Sequence, residues 1–247
     1  FFSHLFVQNQ ASVALLNAAG FTNVTLSGDT RFDRVLEIAE HHKGFLLVKD
    51  FCADKITIVA GSTWSLDDEE LDHYANTHPD YRFIIAPHDI QEDRLKECEK
   101  LYQHCIRYSK CTEAKKVPNP QYPTPNVLLI DNIGMLKYLY KYATICFVGG
   151  GFGGDGVHNV AEAAVYGKPV LFGPVYEKFA EAIELVEVGA GFPVMDALEL
   201  EDEFNDLLGD KKYYDDVCAS AKNYIKNKAG ATTAIILFIH EKRLLTN

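Results

Sequence analysis

The sequence predicts an α/β fold in which a mainly parallel sheet has helices on both faces. Short apolar runs alternate with helical patterns along most of the chain, and this order is typical of consecutive βαβ units. Several apolar runs end at Gly or Pro, where a turn begins. With 247 residues, 47% of them hydrophobic, the chain is long enough to bury a sizeable core.

The predicted strands, in chain order, are HLFVQN (4–9), NVTLSGD (23–29), KITIVAG (55–61), RFIIAPH (82–88), IRYSK (106–110), NVLLID (126–131), TICFVGG (144–150), KPVLFG (168–173) and GFPV (191–194). Helical patterns cover 11–20, 33–42, 65–78, 91–105, 134–142, 159–166 and 176–188, and helices alone are predicted from 198 to 243. Gly20 is a natural end for the first helix. Asp68 holds the capping-box position of the helix that Ser65 starts. The polar, proline-rich stretch 110–125 is predicted as a surface loop.

Ligands of open parallel sheets bind at the carboxyl ends of the strands. Five loops follow predicted strands in this way and are expected on one edge of the sheet. They are GST (61–63), APHD (86–89), DNIGM (131–135), the glycine-rich segment after residue 148 and GPVYEKF (173–179).

Composition excludes several classes of function. The formal net charge of −11 argues against a nucleic-acid partner and against an acidic lipid surface as the main partner of this segment. No apolar run is long enough to span a bilayer, and no signal peptide is visible. Six cysteines without a C-x-x-C pair indicate reduced thiols. A zinc site at Cys98, His104, Cys105 and Cys111 is conceivable, but an apolar helix stripe of Leu95, Cys98, Tyr102 and Cys105 is the better interpretation, and we predict no metal.

The segment FVGGGFGGDGVHNVAE (147–162) contains the dinucleotide-binding spacing G-x-G-x-x-G. We reject the dinucleotide interpretation because the loop follows several βα units and the next strand ends in Gly173-Pro174 instead of an acid. A glycine loop before a helix still predicts an anion site. Glu162, one turn into that helix, would bind ribose hydroxyls. The alternative is structural: Asn159 and Glu162 cap the helix behind a flexible turn.

Other strand ends offer weaker candidates. The hydroxyls and amides of Ser62 and Thr63 would meet phosphate, or would only cap the next helix. His88 and Asp89 form a possible catalytic pair, although a ligand contact or a surface group is the more common role of such a histidine. The predicted phosphate loop therefore comprises Ser62, Thr63, Gly150, Gly151, Gly153, Gly156 and His158.

Together these segments resemble the 3-deoxy-D-manno-octulosonic acid (Kdo) transferases. FVGGGFGGDGVHNVAEAAVYGKPVLFGP (147–174) is similar to the signature of that family, with Val157 in place of a usual Gly. AGST (60–63) is similar to its G-S-T-H segment, and DNIGMLKYLY (131–140) to its D-T-M-G-E-L-x-x-L-Y. IIAPHD (84–89) matches its P-R-H-P-E-R loop in part, and SGDTRFD (27–33) resembles its G-N-L-K-F-D.

The resemblance implies the C-terminal half of a GT-B glycosyltransferase, an enzyme of two Rossmann-like domains with a cleft between them. Residues 1–30 would be the last βα unit of the acceptor domain and a linker, and residues 31–247 the donor-binding domain. Such enzymes transfer Kdo from CMP-Kdo to a lipid A precursor at the cytoplasmic face of the bacterial inner membrane. They invert the anomeric centre and need no catalytic metal or other cofactor.

The general base of the family lies in its acceptor domain, outside this chain. The fragment is therefore expected to be soluble and to bind donor nucleotide without catalysing transfer, and the missing domain would contact acceptor and membrane.

Carried onto this chain, the resemblance places nucleotide contacts in three loops. Two departures change their chemistry: His88 replaces an Arg, so a permanent cation becomes titratable, and Met135 replaces a Glu, so a contact there must use backbone. Arg31 replaces a junction Lys and would stabilise the departing CMP phosphate, or would only pair with Asp29 or Asp33. The nucleotide-binding residues are Pro87, His88, Ile133, Gly134, Met135, Asn159, Val160, Ala161 and Glu162.

Two other functions stay open at this point. One is a different GT-B glycosyltransferase or a sugar-nucleotide epimerase, which would share the glycine loop and the ribose glutamate but use a UDP-sugar. The other is a non-catalytic nucleotide-binding domain with a degenerate site, which the departures at His88 and Met135 keep possible.

Overall fold

A computed structural model describes residues 2–41, 44–113 and 125–242 of the chain. By its internal contacts the chain divides into two compact units, the first Phe1–His41 with Asn223–Asn247, the second His42–Lys222. None of the helices in these described ranges combines the length and the apolar character that crossing a membrane requires.

The first unit is a small parallel pair of strands, β1 (Leu5–Val7) and β2 (Val24–Leu26), with helices α1 (Gln10–Ala18), α2 (Thr30–His41) and α12 (Ala231–Glu241). The Asp33 carboxylate of α2 accepts hydrogen bonds from the amides of Gly230 (2.6 Å) and Thr232 (2.7 Å) at the start of α12. Phe32 makes an edge contact with Tyr224 at 5.7 Å between ring centroids. Because these contacts hold α2 within the first unit, the division does not coincide with the predicted boundary at residue 30.

The second unit is a seven-stranded sheet in which every neighbouring pair is parallel. Its order is β5-β6-β4-β3-β7-β8-β9. The central strands are buried throughout, as expected for strands covered on both faces. The predicted Rossmann-like α/β class is therefore confirmed. The strands are β3 (Thr57–Thr63), β4 (Arg82–Pro87), β5 (Cys105–Arg107), β6 (Val127–Leu129), β7 (Ile145–Val148), β8 (Val170–Phe172) and β9 (Gly191–Pro193).

Several helices differ from their predicted bounds. The sequence did not predict α3 (Leu46–Cys52), a single short helix before β3. Helix α5 (Glu92–Leu101) ends early because Cys105 belongs to strand β5, so Cys105 is not part of the predicted apolar helix stripe. The predicted strand 106–110 is half helical, because α6 (Tyr108–Glu113) starts within it. Of the predicted loop 110–125, residues 114–124 lie outside the described residues.

The remaining helices of the second unit follow the predicted order. The predicted helix 134–142 is split into α7 (Leu136–Leu139) and a 3₁₀ turn (Tyr140–Tyr142). The predicted helix 159–166 is only one turn, α8 (Ala161–Ala164). The others are α4 (Ser65–Thr77), α9 (Ala180–Glu187), α10 (Ala197–Gly209) and α11 (Lys211–Lys228), the last of which runs on into the first unit.

The start of α4 corrects the predicted capping box by one residue. Trp64 is the N-cap, and its amide donates to Asp67 Oδ2 at 2.8 Å. Asp68 is instead fully buried, where it pairs with Arg94 and accepts a hydrogen bond from the Tyr102 hydroxyl at 2.9 Å. Asp68 thus lies on the face of α4 that packs against α5, the helix that contains Arg94.

All five predicted loops follow the carboxyl ends of strands in one parallel sheet, so they share one edge as predicted. The chain leaves β3 towards β4 on one side, whereas β7 lies on the other side of β3. This reversal is a topological switch point, the usual place for a ligand in such a sheet.

Candidate functional site

The end of β3 is irregular where it meets the glycine loop. The register between β3 and β4 shifts between Gly61 and Thr63, and Ser62 has a positive φ of 55°. A side chain on Gly149 would place its Cβ 2.5 Å from the Ser62 carbonyl oxygen. Glycine is therefore required at 149 for contact between the two loops. Thr63 is fully buried, so of the two predicted hydroxyl residues only Ser62 reaches the surface of the loop edge.

The glycines of the loop fall into two groups. A Cβ on Gly151 would lie 2.6 Å from the amide nitrogen of Gly173, and a Cβ on Gly156 would lie 2.5 Å from the Phe179 ring. Gly150 has a φ of +93° and packs against His158. By contrast, a Cβ on Gly153 meets only the Gly150 carbonyl at 3.4 Å, and Gly154 faces open space. Only these last two leave room beside the loop.

A buried carboxylate joins the glycine loop to α4. Asp67 is fully buried, and its Oδ2 accepts hydrogen bonds from the amides of Trp64 and Gly150, both at 2.8 Å. Burial raises the pKa of Asp67, while the amide hydrogen bonds act in the opposite direction. Asp67 was not among the predicted site residues. Its signal in the sequence is an acid in the first turn of the helix that follows β3.

Three aromatic rings from three strand ends form a stack beside the glycine loop. The His88 ring stacks against both Trp64 and His158, with ring centroids 4.6 Å apart in each pair. Trp64 Nε1 donates to His158 Nε2 at 3.2 Å. Burial and the neighbouring His88 lower the pKa of His158, and Asp155 opposes them. Trp64 was not among the predicted site residues, although it directly follows the GST loop.

A pocket of about 150 Å³ opens next to this stack. Predicted residues from both groups meet there: Ser62 from the phosphate loop, and Pro87, His88, Ile133 and Gly134 from the nucleotide-binding set. The side chain of Ile133 is largely exposed, and the Oδ1 atom of Asn132 is buried without a hydrogen-bond partner in the described structure. The remaining lining residues are Ala86, Ile90, Ile130 and Leu136.

Several predicted residues are not among those that line this pocket, including Met135 and Arg31. Met135 is buried, and its carbonyl accepts a hydrogen bond from the Tyr138 amide at 2.9 Å. Arg31 belongs to the first unit, where its guanidinium pairs with Asp29 at 2.7 Å. The ion pair with Asp29 was the structural alternative for Arg31. Its role at a leaving group stays a prediction.

Asn159 and Glu162 contact each other at the start of α8. Asn159 Oδ1 accepts from the Ala161 amide at 3.1 Å, and Asn159 Nδ2 donates to Glu162 Oε1 at 3.3 Å. The contacts resemble the predicted capping pair but differ from it, because the N-cap of α8 is Val160 and no side chain caps it. Because α8 has a single turn and Val160 is fully buried, Asn159 and Glu162 are the half-exposed polar side chains that the helix start offers to a ligand.

No group of three or more His, Cys, Asp or Glu side chains is placed to hold a metal ion within the described ranges. Cys98 of the conceivable zinc site is buried, and its thiol donates to Asp68 Oδ2 at 3.5 Å. Burial raises the pKa of this thiol strongly, so it is a neutral core residue.

Comparison with known proteins gives curated relatives that include several 3-deoxy-D-manno-octulosonic acid transferases and a bifunctional glycosyltransferase/methyltransferase of Fusobacterium nucleatum, the latter 29% identical over 194 residues, which are 78% of this chain and 27% of that protein. No protein-family model matches. The 3-deoxy-D-manno-octulosonic acid transferase of Aquifex aeolicus (strain VF5) is 28% identical over 216 residues, which are 85% of this chain and 55% of that protein. The enzyme of the same name from Rickettsia typhi (strain Wilmington) is 22% identical over 258 residues, covering 99% of this chain and 50% of its own. The chain thus spans about half the length of these two transferases.

Solved structures share the fold. The C-terminal CMP-Kdo binding domain of WaaA from Acinetobacter baumannii superposes with a TM-score of 0.61 at 21% identity, covering 77% of this chain and 97% of that domain. S. aureus MnaA in complex with UDP has the same TM-score of 0.61 at 15% identity, with 96% of this chain and 60% of that one covered. At these identities both similarities concern architecture alone.

Proposed function

Because the chain belongs to the Kdo transferases, a family of glycosyltransferases, we propose that it is the donor-binding part of an enzyme that transfers Kdo from CMP-Kdo to a lipid A precursor. One observation carries the proposal beyond family membership. Ser62, Pro87, His88, Ile133 and Gly134 come from three loops far apart in sequence, and they line one pocket at the carboxyl ends of β3, β4 and β6.

The pocket is suited to the nucleoside. Its walls are mainly apolar, and polar atoms of Ser62, His88 and Asn132 are available to orient a base. The unpartnered Asn132 Oδ1 is an acceptor of the kind that the amino group of cytosine would satisfy. The backbone of Ile133 and Gly134 would read the same base edge.

The phosphate and the ribose would lie towards the glycine loop. Gly153 and Gly154 leave open space there, and the ring stack of Trp64, His88 and His158 borders it. Glu162 would accept hydrogen bonds from the ribose hydroxyls, in exchange for its contact with Asn159. Arg31 would neutralise the departing CMP phosphate during transfer. No step requires a metal ion or another cofactor.

The remainder of the reaction belongs to the half of the relatives that this chain does not span. We propose that this other half supplies the general base, binds the lipid A precursor and contacts the cytoplasmic face of the inner membrane. The chain alone would then bind CMP-Kdo without transferring its sugar.

Calorimetric titration of the 247-residue chain with CMP, UDP and NADH tests the proposal. We expect CMP to bind at least tenfold more tightly than UDP and NADH to give no heat of binding. Tighter binding of UDP would instead indicate a UDP-sugar glycosyltransferase or epimerase. Absence of binding by all three would indicate a degenerate site and a non-catalytic domain.

A further inference from the structure

The pocket and the glycine loop carry no permanent positive charge, whereas the neighbouring loop 173–179 contains Lys178. Among the described residues that line the pocket or form the glycine loop 149–160, none is Lys or Arg. On these loops a phosphate group would be neutralised by amide dipoles and by a protonated histidine of the ring stack. The protonation of His88 and His158 therefore decides how strongly this site attracts an anion.

The hydrogen bond from Trp64 determines which ring nitrogen of His158 carries a proton. An indole N–H is a donor only, so His158 Nε2 must accept the 3.2 Å hydrogen bond from Trp64 Nε1 and carries no proton itself. His158 is then neutral, with its proton on Nδ1. Its partial burial favours the same neutral state.

His88 is the ring on which a positive charge is favourable. It is exposed, and its ring stacks against the indole of Trp64 and against the neutral imidazole of His158. A cation over the face of an indole is stabilised by the ring quadrupole. Two imidazolium rings with centroids 4.6 Å apart would repel each other, so the pair accepts one proton and not two.

The charged residues on the described loops that supply the three rings are acidic, while the adjoining loop 173–179 carries both Glu177 and Lys178. Asp155 lies on the glycine loop near His158, and Asp89 is next to His88 on its own loop. Asp67 lies at the start of α4, where its Oδ2 is already engaged by two backbone amides. These carboxylates repel an anionic ligand, so a positive charge on His88 is needed to offset them.

We propose that His88 is the titratable cation that binds the donor phosphate, and that Trp64 positions this charge by holding His158 neutral. The inference rests on the proposed function and names the ligand chemistry of that site as a phosphodiester of a nucleoside 5′-phosphate. When the phosphodiester binds above neutral pH, the protein takes up one proton from solvent, and this proton protonates the His88 imidazole.

The test uses the methyl ester of cytidine 5′-phosphate, because its single negative charge does not titrate between pH 6 and 8. We expect its dissociation constant to rise about tenfold or more from pH 6 to pH 8, the range in which histidine changes charge. Cytidine, which has no phosphate, should bind equally at both values. Titrations at pH 7.5 in buffers of different ionisation enthalpy should show uptake of up to one proton.

Two variants separate a charge effect from a structural one. His88→Arg should bind the ester equally at pH 6 and pH 8, because guanidinium stays charged. Trp64→Phe keeps an aromatic ring but lacks the N–H donor, so the imidazole NMR signals of His158 should no longer show a single fixed tautomer. An unchanged pH dependence in His88→Arg would overturn the inference, as would an unchanged His158 tautomer in Trp64→Phe.

The outcomes also distinguish this inference from the function on which it rests. If wild type binds the ester with the same affinity at pH 6 and pH 8, donor binding stands and the role of His88 is wrong. If neither the ester nor cytidine binds at any pH, both fail.

Discussion

Removal of the Asp67 carboxylate should loosen the glycine loop and destabilise the second unit. The side chain is fully buried, and one oxygen accepts hydrogen bonds from the amides of Trp64 and Gly150 at 2.8 Å each. Gly150 is itself buried, so in Asp67→Ala its amide cannot turn to water without displacement of the loop. The change therefore breaks the link between the end of β3 and the loop after β7.

The expected loss follows from these two hydrogen bonds. A buried donor left without its acceptor costs about 1–3 kcal/mol. The variant also relieves the burial of a charge, which lowers the total. We expect a net loss of about 3 kcal/mol in the free energy of unfolding. For a protein of this size each kcal/mol lowers Tm by about 2–4 °C, so Tm should fall by about 6–12 °C.

Thermal denaturation of Asp67→Ala measures the loss, and hydrogen exchange of the Gly150 amide locates it. Asp93→Ala is the matched control, since Asp93 is also an acid in the first turn of a helix but is exposed. Its loss is limited to the helix-dipole effect of about 0.3–1 kcal/mol. Equal changes in the two variants, or an unchanged exchange rate at Gly150, would refute the reasoning.

Four further predictions follow from the site and its support. Glu162→Gln should weaken CMP binding by about tenfold or more, whereas 2′,3′-dideoxy-CMP should bind both proteins alike in a calorimetric titration. Gly153→Val should lower affinity for CMP but not for cytidine, and Gly209→Val serves as its control because a Cβ there also meets nothing and the position lies outside the proposed site. Asp33→Ala should lower Tm by several degrees, because two amides at the start of α12 lose their acceptor. Burial raises the pKa of Asp67, so the free energy of unfolding of the wild type falls as pH rises through that pKa. Asp67→Asn has no group that titrates there. The difference in unfolding free energy, variant minus wild type, should therefore increase from pH 4 to pH 7 in denaturant titrations.

The sheet was predictable because strands that are buried on both faces are short, continuous apolar runs in the sequence. The order of strands along the chain and the shared edge of the five loops follow from this pattern and from parallel pairing. Element bounds were less predictable. Helix α3 has seven residues and α8 has four, too few for a helical period to be evident in the sequence.

The pocket was partly predictable and the ring stack was not. Resemblance to a family directed attention to Pro87, His88, Ile133 and Gly134, which do meet in one pocket. Helical or strand spacing in the sequence could not predict the contacts of Trp64, because its partners His88 and His158 lie in the loops that follow β4 and β7. Such a contact depends on strand order, which places the ends of β4 and β7 on either side of β3.

The glycine loop shows why its spacing resembles a dinucleotide fingerprint without being one. In that fingerprint, small residues allow the backbone to approach a pyrophosphate. Here the glycines are close to other parts of the protein instead: Gly151 contacts Gly173 at the end of β8, and Gly156 lies against Phe179. Two of the three glycines in the pattern are thus required by loops of the sheet itself, and only Gly153 is open to a ligand. Because the spacing satisfies packing first, it cannot specify a dinucleotide, and the nucleotide must be identified from the pocket beside the loop.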